Sequence, residues 1–302
     1  MKKISVILTT YNGEKVIDKT IQSIINQEGI NDKFELELIV IDDCSKDKTL
    51  EILKNYPCKV LSTKTNSGGP NKGRNMGLSV ATGDYLCIAD QDDVWAKDKI
   101  LYVLPFLESV PIVSSGYTLI DSSIGKNIER VKNIERKYVY YSKNKTFITR
   151  LTKSLSGQNT YLGSLIYSNK LQDIRFEEKF GALDFDWVVR LFHQQDSIEV
   201  CKSLYTRYVD GNNLSLDETY RNNDFFYSLK FIETYKSEYP KEVTRSYKRL
   251  HGSLARYNYL LGNMTKSRYY FRKAECNIKT IFYYITSFVG SNWVKRKFNV
   301  FG

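Results

Sequence analysis

Residues 84–95 read DYLCIADQDDVW. The stretch opens as an apolar strand and closes by placing Asp90, Asp92 and Asp93 within four positions. Carboxylates that close repel one another and are costly to desolvate. A chain that gathers them at the mouth of a buried strand therefore needs something to neutralise them. Upstream, the same alternation of strand and helix recurs. Residues 4–12, ISVILTTYN, read as a strand. A helix follows over 13–27, with Val16, Ile17, Ile21, Ile24 and Ile25 on one face. FELELIVIDD (34–43) is a second strand, followed by a helix over 46–56, and CKVLSTK (58–64) is a third. A Gly-rich loop and a helix start, NKGRNMGLSVATG (71–83), lead back to the opening stretch. Strands interleaved with helices predict right-handed crossovers and a mostly parallel sheet with helices on both faces. Ligands of such sheets sit beyond the carboxyl ends of the strands, where Tyr11, Asp42, the Gly-rich loop and Asp90 to Asp93 all fall.

Downstream the pattern is less regular. Residues 111–121 read as a strand, 122–160 as charged loop and short helix, and 160–168 as another strand. A helix over 183–195 and a strand over 197–209 complete the core. After about 216 every signal is helical, and 246–277 reads as two helices joined at Gly262-Asn263. The pair has the look of one tetratricopeptide-like hairpin, and one unit is too few for a repeat array. The expected organisation is an α/β domain over 1–215, divided into 1–95 and 96–215 where the regular alternation ends, with a basic helical region over 216–302.

Composition narrows the chemistry. At 42% hydrophobic and 26% charged, the 302 residues are ordinary globular material. Ile4 to Leu8 is too short for the apolar core of a signal peptide, and no apolar run approaches the roughly 18 residues of a membrane span. Five cysteines without a CxxC pair point to reduced thiols in a cytoplasmic protein. Two histidines, His193 and His251, argue against a zinc site or a Ser-His-Asp triad, and both are expected on helix surfaces. Chemistry must rest mainly on carboxylates. Of 45 Lys and Arg and 34 Asp and Glu, residues 241–302 hold 13 and 2, leaving 32 of each before them. The excess charge of +11 thus sits in the last fifth of the chain. That places an anionic partner at the C-terminal end and argues against a nucleic-acid surface on the main domain.

VILTTYNG (6–13), VIDDCSKDKT (40–49), NSGGPNKGRNMGL (66–78), GDYLCIADQDDVW (83–95) and LDFDWVVRL (183–191) occur in the order and at roughly the spacing of the family 2 glycosyltransferases. The chain resembles that family, whose fold is GT-A (Rossmann-like). The five blocks cover residues 4–95 and 181–191, with a weaker sixth at 205–215. The resemblance implies that Asp90-Gln91-Asp92 is the DXD element, with Asp92 a ligand of Mn²⁺ or Mg²⁺ and Asp90 on the ribose or the metal's water shell. Asp93 would lie near the sugar or structure the turn. Thr9 and Tyr11 would line the base pocket, and Asp42 would accept the pyrimidine N3–H. Arg74 and Asn75 match the family's Ala-Arg-Asn, with Gly73 in place of Ala, and Arg74 would contact base or diphosphate. Asp184 falls on the catalytic aspartate, the base of an inverting transfer. Asp186 is a rival that the alignment of Arg190 disfavours. Leu183 replaces the usual Glu, and Val209 replaces the usual His of a closing segment in which Arg207 and Ser215 match.

From the residues alone, Asp43, Ser45 and Asp47 read as N-caps of the helix that follows. An N-cap is also the plain alternative for Asp184, and a solvated helix start for Lys72. Ile278, Ile281, Phe282, Ile285 and Val289 recur at helical spacing before the basic NWVKRKF (292–298). That helix suits an anionic membrane face or a seat against the protein core. The expected function is metal-dependent transfer from a UDP- or dTDP-linked sugar to a saccharide or lipid-linked saccharide acceptor in surface polysaccharide synthesis, on the cytoplasmic side and peripheral to the inner membrane. The alternative is a non-catalytic donor-fold module that binds a partner or membrane through its basic tail.

Overall fold

The computed structural model describes residues 1–121, 125–132, 135–154, 156–179, 184–209, 218–292 and 294. Its first elements follow the expected alternation: β1 (Lys2–Thr10), α1 (Ile17–Ile25), β2 (Phe34–Asp42), α2 (Thr49–Leu53), β3 (Lys59–Ser62), α3 (Asn71–Val80) and β4 (Tyr85–Asp90). There follow β5 (Val94–Trp95), α4 (Lys99–Val103), β6 (Ile112–Asp121), β7 (Lys126–Arg130), β8 (Tyr138–Tyr141), α5 (Lys145–Leu151), β9 (Ile166–Ser168), α6 (Phe185–Phe192) and β10 (Ser197–Val209). Among the described residues four helices follow: α7 (Glu218–Glu233), α8 (Pro240–Leu261), α9 (Met264–Phe271) and α10 (Ile278–Thr286).

Among the described residues one sheet holds every strand, in the order β3-β2-β1-β4-β9-β6-β10-β5, with β7 on β6 and β8 on β10. The first four pair in parallel. β9 then runs antiparallel between β4 and β6, and β10 is parallel to β6. The second half is therefore mixed. It includes β7 and β8, short strands inside the stretch expected as loop. Their sequences, KNIER and YVYY, carry almost no apolar alternation because both lie exposed or half-buried on antiparallel partners.

Side chains alternate across β1. Ile4, Val6 and Leu8 face Ile17, Ile21 and Ile24 of α1 within the main apolar cluster. The opposite face takes α3, which comes unusually close. A Cβ at Gly77 would lie 2.3 Å from Ile7 Cγ2 and 2.8 Å from Ile41 Cδ1, and one at Gly73 would lie 2.9 Å from Thr9 Cγ2. Two glycines four apart thus let α3 sit directly on the ends of β1 and β2.

The chain divides into two compact units, residues 1–147 with 157–214, and residues 148–156 with 215–302. In the second unit, α8 and α9 form the expected hairpin, and Gly262 at φ +86° ends α8 in the left-handed conformation. Ala255, Tyr259, Phe271, Tyr283 and Val294 form its core. α10 packs through Thr280, Tyr283 and Ser287, which are buried. Its apolar stripe faces the other way: Ile278, Ile281, Phe282, Ile285 and Val289 are all exposed, Val289 at 82%. The helix is therefore both seated on protein and apolar outward. Among the described residues no helix is long and apolar enough to cross a membrane.

Both histidines depart from expectation. His193 ends α6 half-buried, its ring 4.6 Å from Phe147. His251 is only 3% exposed and packs among Phe225, Tyr247 and Tyr270, with Nδ1 2.8 Å from the Tyr247 carbonyl oxygen. The aromatic periodicity of α8 hides this, because Tyr and His alternate freely between surface and core. Burial lowers the His251 pKa below its ordinary value. The folded state thus favours the neutral ring, and the stability it contributes is present above about pH 6.5 and lost as pH falls through the lowered value. Melting temperature should fall more for wild type than for His251→Gln between pH 7.5 and 5, measured on both proteins by circular dichroism.

Candidate active site

Parallel register sets the floor of the site. Thr9 pairs with both Ile41 and Asp90, and Thr10 with Asp42, so the carboxyl ends of β2, β1 and β4 finish level. The order 3-2-1-4 makes the gap between β1 and β4 the point from which successive crossovers leave in opposite directions, the usual ligand crevice of such sheets. Thr9, Tyr11, Asp42 and Asp90 stand on its rim, as their sequence positions implied.

Asp42 is 1% exposed. Its Oδ2 accepts the Ser45 N–H at 3.1 Å, while Oδ1 is buried without a hydrogen-bond partner. A buried carboxylate oxygen without a donor costs on the order of 1–3 kcal/mol, which makes Oδ1 a candidate acceptor for a ligand N–H. Tyr11 is 41% exposed beside it in the turn. That turn is fixed by a residue the sequence reading passed over. Gln91, the middle of the three-residue acidic element, accepts from Thr10 Oγ1 at 2.7 Å and from the Tyr11 N–H at 2.9 Å. A Cβ on Gly13 would fall 2.5 Å from Thr10 Oγ1 and 2.9 Å from Gln91 Oε1, so the turn and the acidic loop interlock only around a glycine. The signal for Gln91 was its place between two candidate site aspartates.

The three residues expected to cap α2 divide their work. Asp47 does hold its start, accepting from the Thr49 N–H at 3.0 Å. Ser45 instead accepts the Asn12 N–H at 2.9 Å. Asp43 accepts from Thr63 Oγ1, Ser67 Oγ and the Ser67 N–H, fixing the loop before α3. Capping rules see only local sequence, and these partners arrive from β1 and from the loop after β3.

Arg74 is 5% exposed in the first turns of α3 and donates to Asp90 Oδ1 at 2.8 Å and Asn71 Oδ1 at 3.1 Å. Its guanidinium lies over the Phe176 ring at 5.1 Å, and its Nε is buried without an acceptor. Asn75 does not face the crevice in this way. Its amide grips Phe176 through both N–H and carbonyl, at 2.8 and 2.9 Å, and Glu178 Oε1 at 2.5 Å. Asn71 holds the Glu177 carbonyl at 2.8 Å. These two, four residues apart on α3, clamp the 176–178 segment so that Phe176 backs Arg74.

Phe176 in turn stacks on Trp187 of α6, 4.4 Å between centroids at 8°. This chain of contacts ties α6, and so Asp184 at its start, to Arg74. Asp184 occupies the N-cap position by backbone, its carbonyl receiving the Val188 N–H at 2.9 Å, but its side chain makes no capping hydrogen bond. Asp186 is different: it is 1% exposed and bonded to Arg190 Nη2 at 2.6 Å. Burial raises its pKa and the Arg190 pairing opposes the rise. Asp186 thus has a structural partner in Arg190. Leu183, Ser215 and the 210–217 segment lie outside the described residues.

Asp93 is buried, and its pKa is raised well above the carboxylate range by burial first, then by Asp90 and Asp92. Its opposing cations are Arg207 and Lys99. Lys99, fully buried, sits over the Trp95 ring at 3.6 Å and donates to the Gly163 carbonyl. Burial pulls it down to about 8 despite Cys87 and Asp93. Gly163 is obligatory there, since a Cβ would lie 2.5 Å from Asp93 Oδ2. No sequence signal marked Lys99, whose partners come from three separate segments. Arg207, on the last residues of β10, lies over Tyr161 at 4.8 Å. Burial lowers its pKa, but Tyr161, Tyr205, Asp93 and Asp90 together raise it further. Among the described residues no three His, Cys, Asp or Glu side chains gather as a metal cage.

A Rossmann-like half-sheet with an acidic loop across its crevice, widened by a mixed half-sheet, defines the GT-A fold of glycosyltransferases. The model of Glycosyl transferase family 2 matches residues 5–168, and the chain belongs to that family. Among curated relatives, the poly(ribitol-phosphate) beta-N-acetylglucosaminyltransferase TarS of Staphylococcus aureus is 40% identical over 112 residues, 36% of this chain and 19% of its own length. The GalNAc(5)-diNAcBac-PP-undecaprenol beta-1,3-glucosyltransferase of Campylobacter jejuni is 26% identical over 276 residues, 84% of this chain and 87% of its own. The crystal structure of S. aureus TarS 1-349 in complex with UDP-GlcNAc superimposes with a TM-score of 0.60 at 20% identity, covering 98% of this chain and 93% of that one.

The two aspartates of α6 are separable by experiment. Asp186→Ala should lower unfolding free energy by on the order of 2 kcal/mol, since it removes the charged hydrogen bond to Arg190 from a buried position. Asp184→Asn should cost less stability than Asp186→Ala and reduce sugar transfer by roughly 10²–10⁴-fold. Denaturant melts and turnover on both variants check this.

Proposed function

We propose that the chain is a metal-dependent, inverting glycosyltransferase of surface polysaccharide synthesis, moving a sugar from a UDP- or dTDP-linked donor to a saccharide or lipid-linked saccharide. The observation that carries this is Asp42 Oδ1: a buried, partnerless acceptor at a strand end beside the Tyr11 turn suits the N3–H that uracil and thymine share. Thr9 and Tyr11 form the rest of the base pocket. Arg74 steadies Asp90 and presents its remaining N–H to the ribose-diphosphate.

The donor set fits Mn²⁺ or Mg²⁺. All its atoms are carboxylate oxygens, and hard cations of this kind take one or two carboxylates with substrate phosphates completing the shell. The raised pKa of Asp93 registers the negative potential that such an ion relieves. Asp92, with Asp90 near it, would hold the ion, which when bound supplies Lewis-acid stabilisation of the departing diphosphate. Asp184 takes the proton of the acceptor hydroxyl as it attacks. Asn75 acts as a brace of the Arg74 wall.

The outward stripe of α10 lies in a region of 13 basic and 2 acidic residues. Apolar side chains amid cations suit the anionic inner face of a membrane, where a lipid-linked acceptor such as that named for the Campylobacter relative would be met. Ile281→Asp with Ile285→Asp should then abolish flotation with anionic vesicles without lowering donor turnover, and undiminished flotation would remove this part of the reading.

The decisive experiment incubates the protein with Mn²⁺ and a panel of UDP- and dTDP-sugars, following nucleoside diphosphate release. UDP-GlcNAc and UDP-glucose are the first to try, given the relatives above. Release from one donor, lost in Asp92→Asn, is expected. Calorimetry should show UDP binding weakened about tenfold in Asp42→Asn, where a charged acceptor becomes neutral. Binding of neither UDP nor dTDP by wild type with Mn²⁺ would overturn the proposal.

A further inference from the structure

The helical unit encloses a cavity of about 470 Å³ between α7, α8, the start of α10 and the returning 148–156 segment. Its lining is strongly cationic: Lys153, Arg221, Lys248, Arg249, Arg256 and Lys279, against Asp224 and Glu275. One of these acids is spent locally. Glu275 pairs with Arg249 Nε at 3.2 Å, and Arg249 also donates to the Thr152 carbonyl at 3.0 Å, so that pair fixes the 148–156 segment as a wall.

Two arginines remain poised. Arg221 lies over the Tyr257 ring at 5.3 Å, and its Nε is buried with no hydrogen-bond acceptor. Arg256 is half-buried across Gly252, where a Cβ would stand 3.5 Å from its Nη1. Burial depresses its pKa, with the like charge of Arg221 adding to the effect and Tyr283 opposing it. Two guanidiniums lining one partly desolvated cavity cost stability, a cost that an entering anion offsets. The first turn of α10, through Lys279 and Thr280, adds the positive end of a helix dipole to the same space.

We propose that this cavity binds a phosphate ester through Arg221 and Arg256, with the ester's polar body in the remaining volume. Guanidinium forks match the paired oxygens of phosphate. The cavity is too large for the bare ion and falls in the range of small-ligand sites. Ser154, Ser156 and Asn277 offer hydroxyl and amide groups to a polyol or sugar. The site uses none of the donor residues, and its occupancy does not depend on the catalytic reading.

The ester can be soluble or the headgroup of a phospholipid, and one set of titrations tells them apart. Full-length wild type, Arg256→Gln and the double variant Lys248→Gln/Lys279→Gln would be titrated calorimetrically with inorganic phosphate and with glycerol 3-phosphate at low salt. Wild type should bind glycerol 3-phosphate more tightly than phosphate, and Arg256→Gln should weaken both about tenfold. The lysines are exposed, so their loss leaves folding intact and should weaken binding about threefold. Titration with a short-chain, monomeric phosphatidylglycerol, which offers no membrane surface to the α10 stripe, then assigns the source. Binding that is weakened in the variants identifies the headgroup, and no binding of this lipid identifies a soluble ester. Absence of binding by wild type, or equal affinity in all three proteins, overturns the site.

Discussion

The structure depends on how β1 ends between two parallel neighbours. Because β2 and β4 both run alongside it in register, Asp42 and Asp90 arrive at one level on either side of the Thr9–Thr10 pair. Nothing in the local propensity of any strand requires this. It follows from right-handed crossovers and from a helix, α3, that can lie against β1 and β2 only because positions 73 and 77 have no side chain. That close seat also puts Arg74 within reach of Asp90, so the packing of a helix on a sheet and the electrostatics of the crevice have one cause.

Carboxylate crowding is handled by two devices of different kind. Asp90 is met by Arg74 at the surface of the crevice, leaving it partly exposed. Asp93 is taken inside, where burial and its neighbours favour the neutral acid, and Lys99 with Arg207 hold the surrounding potential in check. Asp92, between them in sequence, is half-buried. With one aspartate paired and one shielded, the loop avoids the repulsion that three equally solvated carboxylates would exert on each other.

The helical unit solves a separate problem with similar means. Its aromatic core, built on Tyr259, Phe271 and Tyr283, lies beneath a surface rich in cations. α10 joins it through small and polar positions, Thr280 and Ser287, around one tyrosine. The apolar residues that would ordinarily make the seat are turned outward. An amphipathic pattern identifies two faces of a helix, and which face meets protein depends on what the rest of the unit offers.

The strand–helix alternation of residues 1–95, the glycine-flanked start of α3 and the positions of Asp42, Asp90 and Asp92 at strand ends were all legible in the sequence. They follow from periodicity and from the fixed geometry of parallel crossovers, which are local or nearly so. What only tertiary structure decided shares one feature, partners far apart in the chain. Gln91 reaches Thr10 and Tyr11, Lys99 reaches Gly163, Asn75 closes on Phe176 and Asp43 on Ser67. The strands β7 and β8 were invisible because exposed antiparallel strands need no apolar alternation, and the burial of His251 because aromatic helices place Tyr and His on either face. Sequence patterns record which residues must leave water. The choice of hydrogen-bond partner for each buried polar group is made only when distant segments are brought together, and that choice shapes the site.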